Sequence, residues 1–129
     1  ALEALNKPHE RLTMEQSTLS ISDITQWLNN HILPSKKTLV FVTNQWALKS
    51  VYNALQSYET VIPKQVGLLG FNNTDWTDLP VKSISTIVEP VYEEGYAACK
   101  MLLKRIKDPS LEPDHKLLTC KLNWLKSTI

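Results

Sequence analysis

The spacing of apolar and polar positions along the chain indicates where strands and helices are expected. Continuous apolar runs are typical of strands covered on both faces in a parallel sheet. Two such runs are TLVFVT at 38–43 and QVGLLGF at 65–71. Apolar positions three and four residues apart predict amphipathic helices. Such helices are expected at 21–31, 44–57 and 90–106, and shorter extended segments at 10–16, 83–87 and 116–125.

Strands and helices alternate in this pattern, which predicts an α/β fold with a mostly parallel sheet flanked by helices. Ser20 followed by Asp23 resembles a capping box that would begin the helix at 21. The first residues, ALEALNK, have helical spacing without a capping residue before them. We therefore expect the fold to be truncated at its N-terminus.

Composition and charge exclude several classes of protein. The 129 residues are 43% hydrophobic and carry a formal net charge of +1, which argues against nucleic-acid binding by bulk charge. No apolar run has the length of a membrane span, so no membrane partner is expected. Cys99 lies in a helical pattern and Cys120 in a strand pattern. Two reduced, packed thiols are expected, which favours a cytoplasmic location.

Polar side chains follow the two predicted apolar strands. Thr43-Asn44-Gln45 follows the first, and Asn72-Asn73-Thr74-Asp75-Trp76 follows the second. In parallel sheets, ligands bind at the carboxyl ends of strands. Amides donate and accept hydrogen bonds, as sugar hydroxyls do, and an indole offers a flat apolar face. This edge is therefore a candidate sugar site.

Structural roles explain the same residues and remain open from the sequence. Asn44 stands where a helix N-cap is expected, and capping is compatible with ligand binding. Asn72 and Asn73 are common turn formers. For Trp76, packing at an interface is the alternative to packing against a ligand.

Four segments occur in a characteristic order along the chain: VFVTNQWAL, IPKQVGLLGFNNTDW, LPVKSISTIVEPVYEEGYAACKMLLKRI and LKST. Together they resemble the effector-binding domain of the lactose/galactose-repressor family of bacterial transcription regulators. The resemblance implies a Rossmann-like, periplasmic-binding-protein-like fold of two subdomains with a sugar in the cleft between them. It also implies a homodimer, with segments 47–57 and 66–69 at the interface, and DNA binding only through a helix-turn-helix domain absent from this chain.

The resemblance also predicts how the chain is divided. Residues 1–87 and 116–129 would form the C-terminal subdomain. Residues 88–115 would be a crossing segment and a helix that belongs to the N-terminal subdomain. With that subdomain removed, apolar surface on the helix is expected to be uncovered at Val91, Met101 and Leu102.

The family pattern implies that Asn44, Asn72 and Glu89 contact the effector, and Trp76 is expected to help wall the cleft. Neutral amides stand where the family has acids, at positions 45, 72 and 73. The loss of negative charge favours an anionic effector, such as a sugar acid or a sugar phosphate. A neutral sugar is the alternative. No cofactor, metal site or catalytic residue is implied.

Two other classes of protein are alternatives to this interpretation. A periplasmic sugar-binding protein of a transport system shares the fold, but the final LKST resembles the ending of the repressors. An enzyme is not expected, because the sequence has no phosphate-binding Gly-rich loop and no nucleophile elbow. The three histidines also lack metal-ligand spacing.

Overall fold

The computed structural model describes residues 13, 20–32, 35–56, 62–72 and 83–129. The elements in these residues follow in the order α1 (Ile21–His31), β1 (Thr38–Val42), α2 (Gln45–Gln56), β2 (Val66–Phe71), β3 (Ser85–Val88), α3 (Val91–Lys107) and β4 (Lys121–Asn123). The predicted alternation of strands and helices is confirmed in this part of the chain. The strand expected at 10–16 lies outside the described residues, apart from Thr13.

The four strands form one sheet in the order β1-β2-β3-β4. β1 pairs with β2 in parallel, from Thr38 opposite Val66 to Val42 opposite Gly70. β2 pairs with β3 in parallel, and β3 with β4 antiparallel. The mostly parallel α/β sheet is therefore confirmed, and the carboxyl ends of β1, β2 and β3 lie at the same edge.

The hydrophobic core lies between the sheet and helices α1 and α2. Its buried residues are Ile24, Leu28, Val42, Leu48, Ala54, Leu55, Ile62, Val66, Leu68 and Ile84. Gly70 allows α2 to approach β2 closely, because a Cβ atom there would lie 2.5 Å from Leu48 Cδ2. The buried positions of both helices recur at helical spacing, as predicted.

The prediction that β1 is covered on both faces is wrong. Leu39 is 57% exposed and Phe41 is 46% exposed, whereas Val42 is buried. Successive side chains of a strand point to opposite faces of the sheet, so Leu39 and Phe41 share the face opposite Val42. Within the described residues, no helix covers that face.

The last strand is shorter than expected. A strand was predicted over 116–125, but only Lys121–Asn123 forms ladder pairs. Its partner β3 has four residues, and three of them pair with β4. Residues 112–120 carry no helix or strand, and Leu117 among them is fully exposed.

Helix α3 is largely uncovered, and Ala97 is its one buried residue. Its exposed large apolar side chains are Val91, Tyr92, Tyr96, Leu102, Leu103 and Ile106. Exposure at Val91 and Leu102 was predicted, while Met101 is partly covered. Cys99 and Cys120 are free thiols, as expected, but both are exposed and not packed.

Residues 126–128, here called the C-terminal turn, join β2 to β3. Ser127 is 1% exposed, and its Oγ accepts a hydrogen bond from Ser85 N (2.8 Å) and donates one to Leu68 O (2.6 Å). The backbone of Ser127 makes two further hydrogen bonds, both 3.0 Å long. Its N–H donates to Ser83 O, and its carbonyl accepts from Leu68 N. The turn thus fixes the sheet beneath the candidate site.

Candidate functional site

Three of the predicted site residues lie at the carboxyl ends of three neighbouring parallel strands. Asn44 follows β1, Asn72 follows β2 and Glu89 follows β3. Because Val42 is opposite Gly70, the register places Asn44 and Asn72 at corresponding positions just beyond their strands. The sheet therefore brings these residues to one edge.

Asn44 is the N-cap of α2. Its side-chain Oδ1 accepts a hydrogen bond from Trp46 N at 3.1 Å, and its carbonyl accepts one from Leu48 N at 3.0 Å. The capping role considered from the sequence is confirmed. Asn44 is exposed, so the cap holds the amide at the accessible edge of the sheet.

Asn72 has a left-handed backbone, with φ of 67°. Asparagine adopts this conformation more readily than most residues. Its backbone N–H donates to Ile87 O at 2.7 Å, which extends the contact between β2 and β3 by one residue. β2 ends at Phe71, and the side chain of Asn72 is turned towards the end of β3.

Asn72 and Glu89 bind each other through two hydrogen bonds. Asn72 Nδ2 donates to Glu89 Oε2 at 2.6 Å, and the Glu89 backbone N–H donates to Asn72 Oδ1 at 3.2 Å. Both residues are partly buried. Both residues are predicted site residues, but their pairing was not predicted. The pairing depends on the register of β2 with β3, which puts Phe71 opposite Ile87 and which the local sequence does not specify.

The carboxylate of Glu89 changes the charge expected for this edge. The amides at positions 45, 72 and 73 alone predict a loss of negative charge. In the structure, Glu89 places an anionic group against the Asn72 amide. Trp76 and Asn73 lie outside the described residues, so the predicted role of Trp76 remains a prediction.

Other surface features lie away from this edge. A groove of about 270 Å³ runs between α3 and residues 114–116 and is lined by three lysines (Lys100, Lys104, Lys116). None of the predicted site residues lines it. The described part of the chain contains no cluster of three or more metal-binding side chains. No helix in that part has both the length and the apolar character needed to cross a membrane.

The chain resembles known transcription regulators in sequence. Residues 2–128 match the family model of the periplasmic binding protein-like domain. The regulator KdgR of Bacillus subtilis is 27% identical over 95 residues, covering 74% of this chain and 28% of that protein. The ribose operon repressor of Escherichia coli K12 is 28% identical over 86 residues, covering 67% of this chain and 26% of that protein. The chain thus spans about a quarter of these curated relatives.

A solved structure shows the same relationship in three dimensions. A LacI-family transcriptional regulator from Enterococcus faecium with bound ribose superposes with a TM-score of 0.68 at 28% identity. The match covers 98% of this chain and 47% of that protein. The family predicted from the sequence segments is confirmed: the chain belongs to the periplasmic binding protein-like family, in the form found in LacI-family transcriptional regulators.

Proposed function

We propose that this chain is the C-terminal part of the effector-binding domain of a cytoplasmic repressor that controls carbohydrate metabolism. Residues 1–87 and 116–129 form its C-terminal subdomain, and residues 88–115 cross to the N-terminal subdomain. A sugar bound between the two subdomains changes the DNA affinity of a helix-turn-helix outside this chain.

The convergence of Asn44, Asn72 and Glu89 carries this proposal. Ligands of open α/β sheets bind beyond the carboxyl ends of the strands, and these residues follow three adjacent strands there. The two amides and the carboxylate offer hydrogen-bond donors and acceptors suited to hydroxyl groups. A related regulator was solved with bound ribose, which supports a sugar as the effector.

The exposed face of α3 supports the assignment of residues 88–115 to a second subdomain. Leu102, Leu103 and Ile106 are each about 60% exposed, and a contiguous apolar patch of this kind is typical of an interaction surface. Because the ribose-bound relative is about twice as long as the matched region, a second subdomain is a suitable partner for this face.

We further propose that the intact regulator is a homodimer. Residues of this chain form a smaller part of the dimer interface than the resemblance implies. Segment 66–69 was expected at the interface, yet Val66, Leu68 and Leu69 are buried within the chain. They are not accessible to a partner. The exposed residues of α2 within the expected segment are polar, and include Lys49 and Asn53.

Titration of the intact regulator tests the proposed function. Calorimetry with neutral sugars, sugar acids and sugar phosphates should detect binding of one of these compounds. The same compound should change the affinity of the regulator for an operator DNA fragment, measured by mobility shift at one stated salt concentration because DNA affinity depends on salt. A regulator whose DNA affinity responds to none of them would contradict the proposal. A periplasmic transport protein would bind a sugar but show no sequence-specific DNA complex.

A further inference from the structure

We propose that a second copy of this chain packs on helix α3, with the two helices antiparallel and related by a two-fold axis near Cys99. The inference concerns the 129-residue chain itself and does not depend on the candidate sugar site. The contact uses residues of α3 that the core of the chain leaves exposed. In the intact regulator, the second subdomain proposed above would occupy the same face.

Five uncharged residues form a single row along α3, here called the α3 seam: Tyr92, Gly95, Cys99, Leu102 and Ile106. Their spacing of three, four, three and four residues is that of the contact positions of two packed helices. All five are exposed, and Tyr92, Leu102 and Ile106 are between 61% and 79% exposed. An amphipathic helix usually turns such a row towards its own core. Here the row faces solvent, as an interaction surface does.

Gly95 indicates which way the second helix runs. A Cβ atom built at this position would have no neighbour within 4 Å among the described residues, so the packing of the chain itself does not require glycine. Glycine nevertheless weakens a helix interior relative to alanine. In an antiparallel pair centred on Cys99, position 95 faces position 103 of the second copy. Leu102 and Leu103 of that copy would then fill the space over Gly95. A parallel pair would place Gly95 opposite Gly95 and leave a gap.

The charges of α3 also favour the antiparallel arrangement. Its first turn carries Glu93 and Glu94, and its last turn carries Lys104, Arg105 and Lys107. Glu94 and Arg105 lie on the same flank of the α3 seam, because eleven residues span about three turns. They are about 16 Å apart along the helix, too far to pair within one copy. An antiparallel second copy brings its Arg105 level with Glu94, and two-fold symmetry makes this contact twice. A parallel pair would bring the two acidic turns together.

The size of the surface sets the expected affinity. Helix α3 has 17 residues and is therefore about 25 Å long. Two helices of this length packed along one face bury roughly 1,000 Å², which is at the lower limit for a specific interface. We therefore expect a reversible dimer with a Kd on the order of 10–100 µM.

Analytical ultracentrifugation of the 129-residue chain, from about 5 to 500 µM, tests the association. The average mass should rise from monomer towards dimer across this range. Leu102→Lys should raise the Kd at least about tenfold, because it buries a charge in the contact. Leu117→Lys is the matched control, since Leu117 is fully exposed outside α3, and it should leave the Kd unchanged. A monomer at every concentration, or equal effects of the two substitutions, would overturn the inference.

Oxidative crosslinking tests the position of the two-fold axis. Diamide accepts the two hydrogens that two thiols release when they form a disulfide, and a disulfide requires Cα atoms within about 7 Å of each other. Both cysteines are exposed free thiols. Crosslinked dimer should form with wild type and Cys120→Ser but not with Cys99→Ser. Crosslinking that is lost in Cys120→Ser and kept in Cys99→Ser would contradict an axis near Cys99.

A charge exchange tests the antiparallel direction. Glu94→Arg should raise the Kd about fivefold, because it sets like charges against each other twice. Glu94→Arg combined with Arg105→Glu should restore the Kd to within about threefold of wild type. Far-UV circular dichroism at low concentration checks that each variant is folded. A double variant that associates no better than Glu94→Arg would refute the antiparallel register.

The intact regulator separates this inference from the proposed function. There the second subdomain should cover Cys99, and diamide should give no Cys99 crosslink. A Cys99 crosslink in the intact regulator would support the pairing of α3 and contradict the assignment of residues 88–115 to the second subdomain.

Discussion

Replacing Ser127 with alanine removes a hydroxyl that serves two strands at once. The oxygen accepts from Ser85 N and donates to Leu68 O, and the residue is 1% exposed. Alanine differs from serine by one atom, so the substitution leaves no cavity large enough for water. The backbone bonds of residue 127 to Ser83 and Leu68 are retained. The variant therefore isolates the hydroxyl.

The cost follows from the groups that lose their partner. A buried polar group left without a hydrogen bond costs about 1–3 kcal/mol. The Ser85 N–H bears this cost in full, whereas the Leu68 carbonyl has a second lone pair and bears less of it. We expect Ser127→Ala to lower the free energy of unfolding by about 2–3 kcal/mol. For a chain of this size, that corresponds to a fall in Tm of roughly 6–15 °C.

Urea and thermal unfolding followed by circular dichroism measure this loss. Ser35→Ala is the matched control, because Ser35 is exposed, and it should change the free energy of unfolding by less than about 0.5 kcal/mol. The denaturant m-value should be the same in both variants if only native stability changes. Equal midpoints for Ser127→Ala and Ser35→Ala would refute the role assigned to the hydroxyl.

Three further substitutions test other local arguments. Asn44→Ala removes the cap of α2 and should cost about 1 kcal/mol in urea unfolding, while Asn44→Ser should recover most of it; equal losses would contradict capping. Gly70→Ala places a Cβ 2.5 Å from Leu48 Cδ2 and should cost about 1–3 kcal/mol, whereas unchanged stability would show that α2 shifts freely. Hydrogen bonds from the side chain and backbone of Ser110 lower the pKa of Asp108. Ser110→Ala should raise that pKa in an NMR titration, and an unchanged pKa would refute this cause. The stabilisation is present above the unfolded-state pKa of Asp108 and is lost as pH falls through the lower folded-state pKa.

The elements with strong local signals were predictable. The helix at 21–31 has both an apolar face and a capping serine, and the Ser20 hydroxyl accepts a hydrogen bond from Asp23 N as expected. The runs at 38–43 and 65–71 became β1 and β2 because long, uncharged, partly β-branched segments favour strands. The periodic spacing of apolar residues was sufficient to predict helix α3.

Features that depend on distant residues were not predictable. An apolar run does not reveal what covers it, and the exposure of Leu39 and Phe41 therefore became evident only in the structure. The strand expected over 116–125 was limited by the length of β3, which local sequence does not encode. The hydrogen bond between Asn72 and Glu89 joins residues 17 positions apart. It depends on the register of β2 with β3 and on the left-handed backbone at Asn72.

The uncovered face of β1 has a consequence for colloidal behaviour. Within the described sheet, β1 is at the edge, and its sequence TLVFV is apolar, uncharged and free of proline. Segments of this type self-associate as stacked strands when they are accessible. Lys36 and Lys37 precede the strand and are exposed, and charges in such flanking positions oppose stacking. Because salt screens this repulsion, solutions of the isolated chain should become more turbid as ionic strength rises.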